Sequence, residues 1–150
     1  GPIRLPRNTP IVVGGDLNII ASRQPMETVR TGNIIDERRF GRDMAPDWDG
    51  TALTDARPRH NGRGGDWTWR SDGSRFAPGR LDYILYTDSV AKLLRTFSVE
   101  TTTLPPQLLA SAGLRKVDVV VGLGRNGRGF RWDHLPLVVD LRFSRGPPGG

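Results

Sequence analysis

The sequence predicts an α/β (α+β) domain in which strands dominate, sheet packs on sheet, and helices are few and short. Three observations carry this. Apolar, β-branched runs recur along the chain, each the length of a strand rather than a helix. Gly accounts for 19 and Pro for 12 of the 150 residues, and they break the chain between those runs. No long stretch keeps a helical period, so the apolar surface of one sheet must find another sheet to cover it.

The elements follow in order. Residues 11–15, Ile-Val-Val-Gly-Gly, read as a buried strand that ends where Asp16 begins, its glycines letting the backbone turn sharply. Residues 19–50 are mixed, with a short helix expected over 33–42 and loop elsewhere. A short element starts within 51–56, followed by a Gly- and Arg-rich loop over 57–65. Residues 66–70 read as a strand with Trp67 and Trp69 on one face, and tryptophans so placed are usually core. Asp72-Gly73 is a hairpin signal inside a turn over 71–79, and 80–86 is the partner strand. On that strand Asp82 shares a face with Ile84 and Tyr86, so a buried Asp82 requires a hydrogen-bond partner. Residues 94–102 form a further strand. Pro105-Pro106 opens a short helix to about 114, with Gly113 near its end. Residues 117–121 are a strand, 122–131 a flexible basic loop, 135–143 the last strand, and 144–150 a Pro/Gly-rich tail expected to be disordered. No internal repeat is apparent.

Composition narrows the function. The chain has no cysteine, which excludes disulfides and thiolate metal sites. It has no apolar run near the ~20 residues a membrane helix requires. The net charge of +6 favours polyanionic partners. All but two of the 22 basic residues are arginine, the exceptions being Lys92 and Lys116, a skew that a GC-rich genome also leaves.

Three short words hold the chemistry: Gly14-Gly15-Asp16-Leu17-Asn18, Gly79-Arg80-Leu81-Asp82-Tyr83-Ile84-Leu85, and Trp132-Asp133-His134-Leu135-Pro136-Leu137. Each lies at the edge of a strand-like run, where a strand end holds a polar group rigidly. Their three aspartates, asparagine and histidine suit metal-assisted phosphoester hydrolysis, and the oxygen-rich donors suit Mg²⁺ or Mn²⁺ better than Zn²⁺. Taken alone, Gly-Asp-x-Asn is commonly an Asx turn and Asp-His a solvated strand entry. Asp16 and Asn18, two residues apart in an extended segment, point to one side.

In this order the words resemble the endonuclease/exonuclease/phosphatase family, which includes deoxyribonuclease I-like nucleases and abasic-site endonucleases. The resemblance covers 11–143, and Trp67-Thr68-Trp69 resembles the aromatic-Thr-Trp that precedes the second word in many members. Trp132 stands where the family usually has a small serine. The resemblance implies a four-layer α/β sandwich with mixed, largely antiparallel sheets, of which 1–143 would be the C-terminal portion. It implies catalytic roles for Asp16, Asn18, Asp82 and His134. Asp16 would orient and deprotonate the attacking water, Asn18 would donate to the phosphate, and His134 would donate to the scissile phosphate with its tautomer set by Asp82. Asp133, Asp16 and Asn18 would hold Mg²⁺ or Mn²⁺. Arg57, Arg59, Arg63, Arg128 and Arg131 are candidates for gripping substrate phosphates from two loops. His60 reads as a surface residue or substrate contact rather than a catalyst.

The function so implied is metal-dependent phosphodiester hydrolysis by a nuclease acting on nucleic acid. The alternative is a phosphatase or phospholipase-type member acting on a phosphorylated small molecule or lipid head group (inositol phosphate, sphingomyelin), or a non-catalytic remnant that binds nucleic acid or protein. The family's front half, with its metal-binding glutamate, has no counterpart before Ile11. The expectation is therefore that this half is supplied in cis and that the 150-residue chain alone is weak or inactive.

Overall fold

A computed structural model of the chain describes residues 5–70, 75–116, 120–123 and 129–144. Among the described residues, seven strands and three α-helices run in the order β1 (Val12–Asp16), α1 (Gln24–Thr31), α2 (Glu37–Phe40), β2 (Thr54–Asp55), β3 (Asp82–Tyr86), β4 (Ala91–Ser98), α3 (Pro106–Ser111), β5 (Val120–Leu123), β6 (Gly129–Trp132) and β7 (Leu137–Phe143). A 3₁₀ turn, Thr101–Thr103, precedes α3.

The strands form three antiparallel groups: a sheet ordered β1-β3-β2, the pair β4-β7, and the hairpin β5-β6. β3 is the centre of the first sheet because it alone is paired on both sides, and it ends in the buried residues Leu85 and Tyr86. The core lies between the first two groups. Ala56 and Tyr86 from one side meet Ala91 from the other, with Ile84, Leu93, Val139 and Leu141 packed around them. This is the sheet-on-sheet arrangement of an α/β sandwich, and it buries the apolar stripe that each strand's alternation creates. In β4 the register shifts between Leu93 and Arg95, a bulge that leaves Leu94 exposed.

The helices lie outside this core. Neither α1 nor α2 buries a residue. Pro25 stands in the first turn of α1 and Gly32 ends it at φ 76°, donating its N–H to Thr28 O at 2.8 Å. A Cβ on Gly32 would fall 1.6 Å from Met44 O, so the close crossing of these two backbone segments requires glycine.

Several expectations are met with shifted bounds: the strands at 80–86 and 135–143, and the helix opened by Pro105-Pro106. The strand expected at 11–15 forms as β1 but is not buried, since among the described residues it pairs on one side only and leaves all but Val13 exposed. Others are corrected. The 19–50 stretch holds two helices rather than one, and 33–42 contributes only the four residues of α2. The 66–70 stretch is held by isolated bridges, Trp69 to Gly79 and to His134, rather than by a continuous ladder. Of the basic loop expected over 122–131, residues 122–123 belong to β5 and residues 129–131 to β6, which pairs with it. The Asp72-Gly73 turn tip, the loop tip at 124–128 and the 145–150 tail lie outside the described residues. Among the described residues no helix is long and apolar enough to cross a membrane.

Candidate active site

Asp16 and Asp82 face each other directly across the β1-β3 ladder. The flanking residues Leu17 and Leu81 are joined by a backbone hydrogen bond of 2.9 Å, as are Thr87 and Ile11 at 3.1 Å. The Asp16-Asp82 pair is therefore of the non-hydrogen-bonded kind, in which side chains approach most closely, with Cβ atoms about 4.5–5.5 Å apart. Two carboxylates so opposed repel unless protons or a cation lie between them.

One of them is heavily engaged. Asp82 Oδ2 accepts from Thr68 Oγ1 at 2.6 Å and lies 2.8 Å from His134 Nδ1. The Asp82 side chain is 16% exposed and that of His134 35%. His134 reaches this position because Leu135 N donates to Thr68 O at 2.7 Å, and because Trp69 bridges to both Gly79 and His134. The buried partner that the alternation on β3 required for Asp82 thus exists twice over.

The other is open. Asp16 is exposed at the end of β1, and its Oδ1 accepts from Asn18 N at 2.8 Å. This is an Asx turn, and Asn18 adopts φ 47°, a left-handed conformation that asparagine tolerates well. Asp16, Asn18 and His134 line one cleft of about 560 Å³, together with Trp69, Phe76 and Arg80.

Asp133 is beside this cleft without lining it. Its Oδ2 accepts from Trp69 Nε1 at 2.8 Å, and its carbonyl from Arg70 N at 3.0 Å. This corrects the placing of the tryptophans in the core. Both are half-buried; Trp69 walls the cleft, while Trp67 sets its edge against His60 at 4.3 Å between ring centres. An indole N–H that needs an acceptor finds one on Asp133, which a fully apolar core does not offer.

His60 is also corrected. It is only 8% exposed, and Nε2–H donates to Trp67 O at 2.7 Å. It therefore anchors the 66–70 segment from behind, rather than meeting solvent or substrate. Arg57, Arg59 and Arg63 are exposed on the loop around it and do not line the cleft. Arg128 lies outside the described residues, as do the side chains of Arg131 and Trp132. Arg80 was not singled out from the sequence, yet it lines the cleft and pairs with Asp55 through two bonds of 2.8 and 2.5 Å. Thr68 was missed as well. Its signal was positional: a small hydroxyl between two indoles, facing the opposite way from both.

The donor set fits a hard cation. Asp16 Oδ2 has no protein partner among the described residues, and the Asn18 amide stands beside it on an exposed turn. Among the described residues no group of three or more His, Cys, Asp or Glu is arranged to hold a metal. Mg²⁺ does not need one, since it is commonly held by one or two carboxylates with water and substrate phosphate completing the shell.

The model of the Endonuclease/Exonuclease/phosphatase family matches residues 1–123. The chain belongs to that family. Its members are phosphoesterase-type hydrolases that generally work with a divalent metal, and their fold is the α/β sandwich seen in this chain. The match contains the first two sequence words and the Trp-Thr-Trp segment; the Asp-His pair lies beyond it. No curated protein and no solved structure matches the chain.

Proposed function

We propose that this family member hydrolyses phosphodiester bonds in nucleic acid, with Asp16, Asn18, Asp82 and His134 as its catalytic group. The observation that supports this most is the placement of Asp16 opposite an Asp82-His134 pair, with Asp16 and His134 opening into the same cleft. Asp16 orients the attacking water and takes its proton, a role open to a solvent-facing carboxylate. Asn18 donates its amide N–H to a phosphate oxygen without adding negative charge. His134, protonated and held by Asp82 at Nδ1, donates from Nε2 to the scissile phosphate as charge builds on it.

Asp16, Asn18 and Asp133 are the residues that would hold Mg²⁺ or Mn²⁺, and the bound ion would neutralise charge at the phosphate. Asp133 would offer Oδ1, since Oδ2 takes the Trp69 indole N–H. The exposed arginines of the 57–65 loop would add attraction for the polyanion from outside the cleft.

A second reading keeps the chemistry and changes the substrate to a lipid head group. The apolar residues at the cleft mouth favour it: Ile20 is 74% and Phe76 59% exposed.

The test is a substrate panel of duplex DNA, abasic DNA, inositol phosphates and sphingomyelin vesicles. It is run on the longest form of the protein its gene encodes, with Mg²⁺ and then with chelator. Metal-dependent cleavage of DNA is the expected result. Hydrolysis confined to the vesicles or inositol phosphates would move the assignment to the second reading. Hydrolysis of none of them would leave a binding role.

A further inference from the structure

The side chain and backbone of Thr68 are bonded to the entry of β3 and to the approach to β7, the two segments that carry Asp82 and His134. Its N–H donates to Gly79 O at 2.9 Å and its carbonyl accepts from Leu135 N at 2.7 Å. Its hydroxyl oxygen accepts from Leu81 N at 3.0 Å and from Asp82 N at 2.9 Å, and donates to Asp82 Oδ2 at 2.6 Å. The residue is completely buried, so no water competes for these bonds.

Proton accounting gives this arrangement a consequence. A threonine hydroxyl has one proton and two lone pairs. Both lone pairs face backbone N–H groups, which can only donate. The single proton must therefore go to Asp82 Oδ2, and that oxygen must accept it. An ionised Oδ2 that already accepts from Thr68 accepts again from His134, which places the proton of a neutral His134 on Nδ1 and leaves Nε2 free to face the cleft. The β-branched side chain adds rigidity, because its χ1 is confined to few rotamers and its methyl is packed.

We propose that Thr68 is a positioning residue that fixes the rotamer of the Asp82 carboxylate and, through it, the tautomer of His134. Its effect on turnover rests on the phosphodiesterase reading of the site; its effect on the tautomer does not.

Imidazole nitrogen NMR on the ¹⁵N-labelled protein tests both parts. The chain has two histidines, His60 and His134, so assignment is direct, and His60 reports whether the 66–70 segment is intact. In mildly alkaline buffer the wild type is expected to show His134 protonated at Nδ1. Thr68→Val is expected to mix the two tautomers while leaving the His60 signals in place. Thr68→Ser, which keeps the hydroxyl, is expected to restore the wild-type pattern. In turnover assays, where the protonated ring donates, Thr68→Val should lower kcat by about ten- to a hundredfold with KM little changed, because the Asp82 carboxylate that orients the ring is no longer fixed, and Thr68→Ser should recover most of it.

A wild-type His134 protonated only at Nε2 would overturn the inference without any variant, which covers the case of Thr68→Val failing to fold. So would an unchanged tautomer and turnover in a folded Thr68→Val. Absent hydrolysis by the wild type, with the tautomer pattern as expected, would instead count against the functional reading and leave the positioning role standing.

Discussion

On β3 the carboxylate of Asp82 receives a hydroxyl and an imidazole and is largely covered; directly across the ladder, Asp16 is exposed and holds one backbone N–H of its own turn. The two sides of the cleft thus divide the work of preorganisation. On the Asp82 side the protein supplies the partners during folding, so the geometry exists before any ligand arrives. On the Asp16 side one carboxylate oxygen has no protein partner among the described residues. Removing a group from the first side should disturb both stability and function, and from the second function alone.

The largest expected effect comes from Asp16 and from the histidine bound to Asp82. Asp16→Asn and His134→Ala should each lower turnover by about a thousandfold, the scale of losing a general base or a charge-stabilising donor; thermal melting should stay close to wild type in Asp16→Asn and fall in His134→Ala, which leaves the covered Asp82 carboxylate without its imidazole. Wild-type rates in both variants would remove the catalytic reading. Asp82→Asn sharpens the contrast. It should cost about a hundredfold in turnover and also lower stability by about 1–3 kcal/mol, because a buried, doubly bonded acceptor is replaced by a group with the wrong donor count. A melting curve unchanged in Asp82→Asn, or markedly lowered in Asp16→Asn, would break the comparison. Trp69→Phe removes the indole N–H that Asp133 accepts together with part of the cleft wall. It should change activity several-fold, as one hydrogen bond of about 1 kcal/mol implies, with a correspondingly small change in the concentration of Mg²⁺ required.

The smallest effect concerns the support behind the Asp82 side. Asn61, next to His60, bonds through its side chain to the backbone of Glu100 at 2.8 and 3.2 Å. Burial pushes the Glu100 carboxyl up, but the hydroxyl and N–H of Thr102, the hydroxyl of Thr103 and the charge of His60 outweigh it and hold the group below its ordinary 4.5. A lowered folded-state value contributes stability that is complete above 4.5 and is lost as pH falls through the folded-state value. Melting temperature should therefore drop below pH 4.5 more steeply in the wild type than in Glu100→Gln. Parallel acid profiles for the two would show that Glu100 adds nothing.

The sequence made legible what depends on local pattern. β1, β3 and β7 follow from short apolar runs stopped by Gly, Asp or Pro, and the three words, each with its aspartate, stand at their ends because strand ends hold polar groups. The expectation of an extended segment through Asp16 and Asn18 is corrected: Asn18 turns left-handed and closes an Asx turn on Asp16, the local habit of Gly-Asp-x-Asn. What was hidden depends on long-range contact. α1 and α2 bury nothing, so no apolar period marks them, and only Pro25, Asp36 and Gly32 give their ends. His60 looked like a surface residue because its loop is rich in Arg and Gly; it is buried because Trp67 O supplies an acceptor and Gly64 and Gly65 leave room for the ring. Thr68 could be sought only by asking what satisfies Asp82, and the answer lies fourteen positions away across a turn.

Arg80 carries one last consequence. Both terminal nitrogens of its guanidinium are committed to Asp55, and the group stacks 4.3 Å from the centre of the Tyr83 ring. The arginine that lines the cleft among the described residues is thus already neutralised, and attraction for a polyanion must draw on arginines outside the cleft. Ionic strength should then act on how readily a polyanion is captured and scarcely on how fast it is cut once seated: added salt raises KM and leaves kcat nearly level.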